Sequence, residues 1–113
     1  MIKLNLTYLE SISGGDKVFI HEMLAMFLSN TFPELMQLKE YAQNGMWDQM
    51  SGIAHKMKAP MQMLDVPEAS ELVLQLEMIG KSKEATETAL AKIEQLSALI
   101  QQMEVEIRQI LGT

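Results

Sequence analysis

A chain of 113 residues, 48% hydrophobic and 21% charged, has room for one compact core and one domain. Its net charge of −6 comes without any basic block, which argues against nucleic acid as a partner. With no cysteine there is neither a disulfide framework nor thiolate chemistry, as expected of a cytoplasmic protein.

The opening MIKLNLTYLES lacks the apolar core of a signal peptide. No stretch approaches the roughly 18 apolar residues of a membrane span, so no direct membrane contact is expected. The apolar spacing is helical almost throughout, and no repeat, low-complexity tract or linker divides the chain.

A short first helix is predicted from Thr7. Thr7 and Glu10 have capping-box spacing, and Ser13-Gly14-Gly15 ends the helix. Asp16 is placed to cap a second segment running to Asn44-Gly45, with Phe19, Met23, Met26, Phe27, Leu35 and Leu38 as its apolar stripe. Pro33 lies inside it and predicts a kink or two abutting helices. The third segment spans about residues 46–64 and contains His55. The fourth starts at Pro67, a good first-turn residue, and stops at Gly80.

The fifth segment spans about residues 82–111. Ala89, Ile93, Leu96, Ile100, Met103, Ile107 and Ile110 form a heptad seam along it. At about 1.5 Å per residue this helix would be roughly 40 Å long. The fold expected is all-α: segments two to five form an up-down four-helix bundle, and the short first helix caps one end. A heptad seam can also mark a dimer. The monomeric bundle is the preferred reading, because the other helices need a partner to cover their stripes. The 11 methionines are expected to fill irregular core gaps rather than to line a dedicated groove.

On the third helix Met50, Ile53, Ala54, Met57, Met61 and Leu64 fall in one arc. His55 lies roughly 150° from the centre of that arc at the helical period, and so points to solvent. Its neighbours three and four residues away are Ser51, Gly52, Lys58 and Ala59. Three of these are small, which leaves the imidazole standing clear. Gly52 costs the helix about 1 kcal/mol relative to alanine, and access to His55 is a reason for it. The Lys58 ammonium, one turn along, can pair with an anion on the ring. Lys56 adds charge on another side of the helix, and Gln62 can donate a hydrogen bond on the His55 side. Neutral imidazole is a good nucleophile near pH 7.

Other chemistries fit less well. A metal-binding bundle uses Glu-x-x-His pairs, but Gly52 and Val18 occupy those positions before His55 and His21. No metal or cofactor is therefore expected in the chain itself. His21 has no small flanking residues and reads as structural or surface. A dimerising histidine kinase domain places an acidic residue after its histidine. Here Lys56 follows, and no segment is left for an ATP site.

The stretch Ala54-His55-Lys56-Met57-Lys58-Ala59 resembles the signature of the histidine-containing phosphotransfer (Hpt) family. The similarity extends through LTYLESISGGDKVFIHEMLAMFLSNTFPEL, NGMWDQMSGIAHKMK and EASELVLQLE. The resemblance implies an elongated helical domain that is a phosphocarrier rather than an enzyme. Its partners would be response-regulator receiver domains or a hybrid histidine kinase, with any metal ion carried by the receiver. It makes His55 the phosphoacceptor, through the projecting Nε2, and Lys58 the phosphoryl stabiliser. Ser51, Gly52, Lys56, Ala59 and Gln62 would form the docking surface. A helical domain that keeps the shape but has lost the transfer is the alternative.

Three positions depart from the family pattern. Ala59 replaces the commoner glycine. Pro60 follows directly, removes the backbone bond to Lys56 and is expected to bend the helix. Asp65 stands where glycine is frequent and could cap the helix that starts at Pro67.

Overall fold

The computed structural model describes residues 4–112. The expected single domain over 1–113 thus includes residues 1–3 and 113, which lie outside the described residues. Five α-helices account for almost all of the rest: α1 (Thr7–Ser13), α2 (Lys17–Gln43), α3 (Trp47–Met63), α4 (Pro67–Ser82) and α5 (Ala89–Leu111). A single 3-10 turn, Thr86–Thr88, precedes α5, and no strand occurs among the described residues. The molecule is elongated, 42 × 24 × 21 Å.

α3 packs against α2 and α4, and α5 against the same two helices from the other side. The core between them is aliphatic and thioether: Leu24, Leu38, Met50, Met57, Met61, Leu76, Ile93, Leu96, Ile100 and Met103 are all essentially inaccessible to water. Each such side chain contributes on the order of 1.5–3 kcal/mol by leaving water. The α3 arc and the α5 seam are buried as the sequence spacing predicts, except that Ile53 and Ile110 are only half-buried. The seam therefore faces the chain's own helices.

The α2 stripe differs from expectation. Ile20, Leu24, Phe27, Thr31, Leu38 and Ala42 face the core, whereas Phe19, Met23 and Leu35 are half-buried and Met26 is exposed. Two apolar rows run side by side on this helix, and only packing decides which is innermost. The methionines divide likewise. Met50, Met57, Met61 and Met103 fill the core, but Met26, Met36, Met46 and Met78 are exposed.

Helix ends depend on local chemistry. Asp16 Oδ1 accepts from the backbone N–H of Val18 (2.9 Å) and Phe19 (3.3 Å), the expected cap of α2. The Thr7–Glu10 capping box does not form. Leu6 is the N-cap residue, and Asn5 Oδ1 accepts from the Thr7 N–H instead at 2.9 Å. α2 runs on through Pro33, and α3 through Pro60, without interruption. Each proline removes one hydrogen bond. The carbonyls left over belong to the exposed residues Ser29 and Lys56, where water can take the vacant site.

Asp65 does not cap α4; Val66 is the N-cap residue. Asp65 turns the chain at φ 55°, in the left-handed region that favours glycine. Its Oδ2 accepts from Asn5 Nδ2 at 3.1 Å, and the Asn5 N–H donates to the Leu64 carbonyl at 3.2 Å. These bonds hold the segment leading into α1 at the α3–α4 turn.

Gly80 does not end α4, which continues to Ser82; α5 accordingly starts at Ala89 rather than near Ser82. At Gly80 the backbones of α4 and α3 approach tightly. A Cβ there would lie 2.6 Å from Ser51 Cβ and 2.6 Å from the Trp47 carbonyl oxygen. Neither atom is the end of a flexible side chain, so the helices would have to separate. Gly80→Ala should therefore destabilise the domain by about 1–3 kcal/mol through overpacking, outweighing alanine's gain in helix propensity. Urea unfolding checks this; a more stable variant would show that α3 and α4 can shift apart at little cost.

Candidate functional site

The Ser51–Gly80 approach fixes the register of α3 on α4. One turn beyond Ser51 stands His55; one turn before Gly80 lies Glu77. Ser51 Oγ donates to the Glu77 backbone carbonyl at 3.1 Å, which ties the two turns together.

His55 projects from the bundle with its side chain 66% exposed, as the helical wheel predicts. Beneath it the Glu77 side chain is only 3% exposed, yet it collects three nitrogen donors. His55 Nδ1 is 2.7 Å from Glu77 Oε2. Lys58 Nζ donates to Oε1 at 2.9 Å, and Lys81 Nζ lies 3.2 Å from Oε2. The Lys58 hydrogen bond does most to hold the Glu77 carboxyl down to about 2. Burial opposes this, and the bonds from His55 and Lys81 add to the lowering.

That ionisation sets the chemistry of the ring. A carboxylate is an acceptor only. The ring nitrogen facing it must carry hydrogen, so Nδ1–H donates to Glu77. In the neutral imidazole the lone pair is then on Nε2, the outward nitrogen.

The other expected site residues are distributed unevenly around the ring. Ser51 is buried and bonded to α4. It therefore cannot line a docking surface, and its small size serves the approach of α4 rather than access to His55. Gly52, Ala59 and Gln62 are exposed on the flank away from α4. A Cβ on Gly52 would meet nothing within 4 Å. Lys56 is exposed, and its charge acts on Glu34 of α2. Burial pushes the Glu34 carboxyl above its ordinary value, and the Lys56 ammonium offsets part of that rise. Beyond Ala59, a groove of about 500 Å³ is lined by Tyr8, Met23, Ala59, Pro60, Gln62 and Met63. His21 is exposed on α2.

Glu77 and Lys81 are the site residues that sequence reasoning missed. The signal for Glu77 was a carboxylate on an apolar stripe: Val73, Leu76 and Gly80, three or four residues or fewer away, are all buried. What that carboxylate would meet depended on how α3 and α4 pack.

The family model of the Hpt domain matches residues 22–106, most of the chain and the whole His55, Lys58, Glu77 and Lys81 cluster. The chain belongs to the Hpt family. Hpt domains are phosphocarriers of two-component phosphorelays, working on a histidine with receiver domains and histidine kinases rather than as catalytic domains. No curated protein and no solved structure matches this Hpt chain. No helix among its described residues is long and apolar enough to cross a membrane. Nor, among those residues, do three His, Cys, Asp or Glu side chains gather where they could hold a metal ion.

Proposed function

We propose that this Hpt domain takes a phosphoryl group on Nε2 of His55 from a receiver-domain aspartate and passes it to another receiver. One observation carries the reading: the ring is exposed while its inner nitrogen is tied to an ionised, buried carboxylate, so the outer lone pair is free to react.

The Nε2 lone pair attacks the phosphorus of the aspartyl phosphate. An N–P bond forms, the P–O bond breaks, and the receiver's carboxylate leaves. The phosphorylated ring keeps its Nδ1–H and becomes cationic, and Glu77 faces that charge. A cationic ring is a better leaving group than a neutral one, which keeps onward transfer accessible. Lys58 supplies a cation to the phosphoryl oxygens. The receiver contributes its metal ion and the remaining positioning, on which phosphoryl transfer mostly depends.

The docking surface is Gly52, Lys56, Ala59 and Gln62, extended by the adjoining groove at Tyr8 and Met23. The scaffold is read as a monomeric up-down four-helix bundle of the cytoplasm. Antiparallel neighbours account for the Lys83–Asp48 ion pair (3.0 Å) between the end of α4 and the start of α3. They also account for Lys39–Glu94 (3.5 Å) between α2 and the first turns of α5.

Incubation with a phosphorylated receiver tests the function. The expected product is an acid-labile phosphate mapping to His55 by mass spectrometry. A chain that binds receivers yet never takes label would be the transfer-inert scaffold instead. Docking has its own check in Gly52→Ala. Alanine should stabilise the helix by about 1 kcal/mol, since nothing opposes its Cβ. It should also slow transfer from a receiver while leaving phosphorylation by a small-molecule donor unchanged. Equal rates with the receiver would remove Gly52 from the interface.

A further inference from the structure

We propose that Lys81, reaching over from α4, is a second phosphoryl-binding cation of the His55 site, held on Glu77 until the anion arrives. This rests on His55 being the phosphoacceptor.

Glu77 Oε1 takes Lys58, while Oε2 is shared by His55 Nδ1 at 2.7 Å and Lys81 Nζ at 3.2 Å. Lys81 thus has the longest of the three contacts and shares its oxygen. Its side chain is 68% exposed against 31% for Lys58, so its four-carbon stem is free to turn. Lys81 is therefore the donor most easily released from the carboxylate.

Charge decides why it is needed. Before transfer, two ammonium groups share one carboxylate, which leaves the cluster one net positive charge. The positive charge left over, which an arriving phosphoryl dianion would meet, is supplied by the second lysine. Lys56 does not fill this role, because it lies about 100° round α3 from His55 and touches neither Glu77 nor the ring in any hydrogen bond or ion pair among the described residues.

Phosphorylation of the whole chain by phosphoramidate isolates this effect from receiver docking. Nε2 attacks phosphorus, the donor's P–N bond breaks, and the amine leaves as ammonia after taking up a proton. At low salt, Lys81→Ala and Lys81→Gln should lower the rate about two- to fivefold, the range of an exposed ionic contact. Lys81→Arg should restore it, and high salt should close the gap between wild type and variants. The proposal is overturned if Lys81→Ala matches wild type while Lys58→Ala is slowed. It is equally overturned if the loss is the same at all salt concentrations and arginine does not rescue it, because the lysine then acts through structure alone. A wild-type chain that takes no phosphoryl group, from this donor or from a receiver, refutes the histidine assignment and this proposal with it.

Discussion

His55→Gln should accept no phosphoryl group and keep the helical fold. The ring is largely exposed, so its loss removes one hydrogen bond to Glu77 and little buried area. Only two histidines occur in the chain, and the other, His21, lies exposed on α2 with no carboxylate bonded to its ring among the described residues. His55→Asn is the sharper companion. Its amide nitrogen can stand where Nδ1 stands and continue to donate to Glu77, while nothing replaces Nε2. Both variants should show wild-type circular dichroism and no label from a phosphorylated receiver. Undiminished labelling of either would refute the assignment of the phosphoacceptor.

Glu77→Gln should impair the site through the ring's tautomer. With the amide oxygen on the Lys58 ammonium, the contact that does most to hold this side chain, the NH2 group turns toward His55 and the exposed Lys81 swings out to water. An NH2 facing Nδ1 needs an acceptor there, so hydrogen moves to Nε2 and the outward lone pair is lost. Phosphoryl acceptance should fall on the order of 10- to 100-fold, as for other residues that orient a ring through its second nitrogen. Imidazole 15N shifts should report the change of tautomer. An unchanged tautomer together with an unchanged rate would exclude an orienting role for Glu77.

The same variant has a signature in acid. The unfolded chain protonates this carboxyl near 4.5, the folded chain only at about 2. As pH falls, the unfolded state therefore takes up the proton first. The stabilisation due to Glu77 is complete above pH 4.5, declines below it and is gone near pH 2. Stability of Glu77→Gln should depend less steeply on pH in this window. Parallel curves for the two proteins would mean that Glu77 is not held down by its partners in solution.

The exposed position of His55 was legible because the third segment carries one clear apolar arc, and a single arc fixes what lies opposite it. The second segment carries two adjacent apolar rows, so its spacing places Phe27 and Leu38 correctly but draws Phe19, Met23 and Met26 from the outer row in place of Ile20 and Leu24. Ser51 was misread for a related reason. A small residue beside a functional histidine suggests access, but it serves equally well to admit a neighbouring backbone. Gly80 looked like a helix end for as long as its partner at Ser51 was unknown. Glu77 stood in plain view as a charge among buried neighbours. Its meaning lay in a contact spanning 22 residues, which helical periodicity does not encode.

The His55 ring stands between two unlike strips. Toward α4 lie Ser51, Lys58, Glu77 and Lys81, which set its hydrogen and its counter-charges. Toward α1 and α2 lie Gly52, Ala59, Gln62 and the apolar groove, none of which touches Glu77. If receivers dock on the second strip as proposed, recognition and reactivity are uncoupled in space. A lineage could exchange one upstream or downstream protein for another by rewriting the second strip, while the reacting atoms stay as they are.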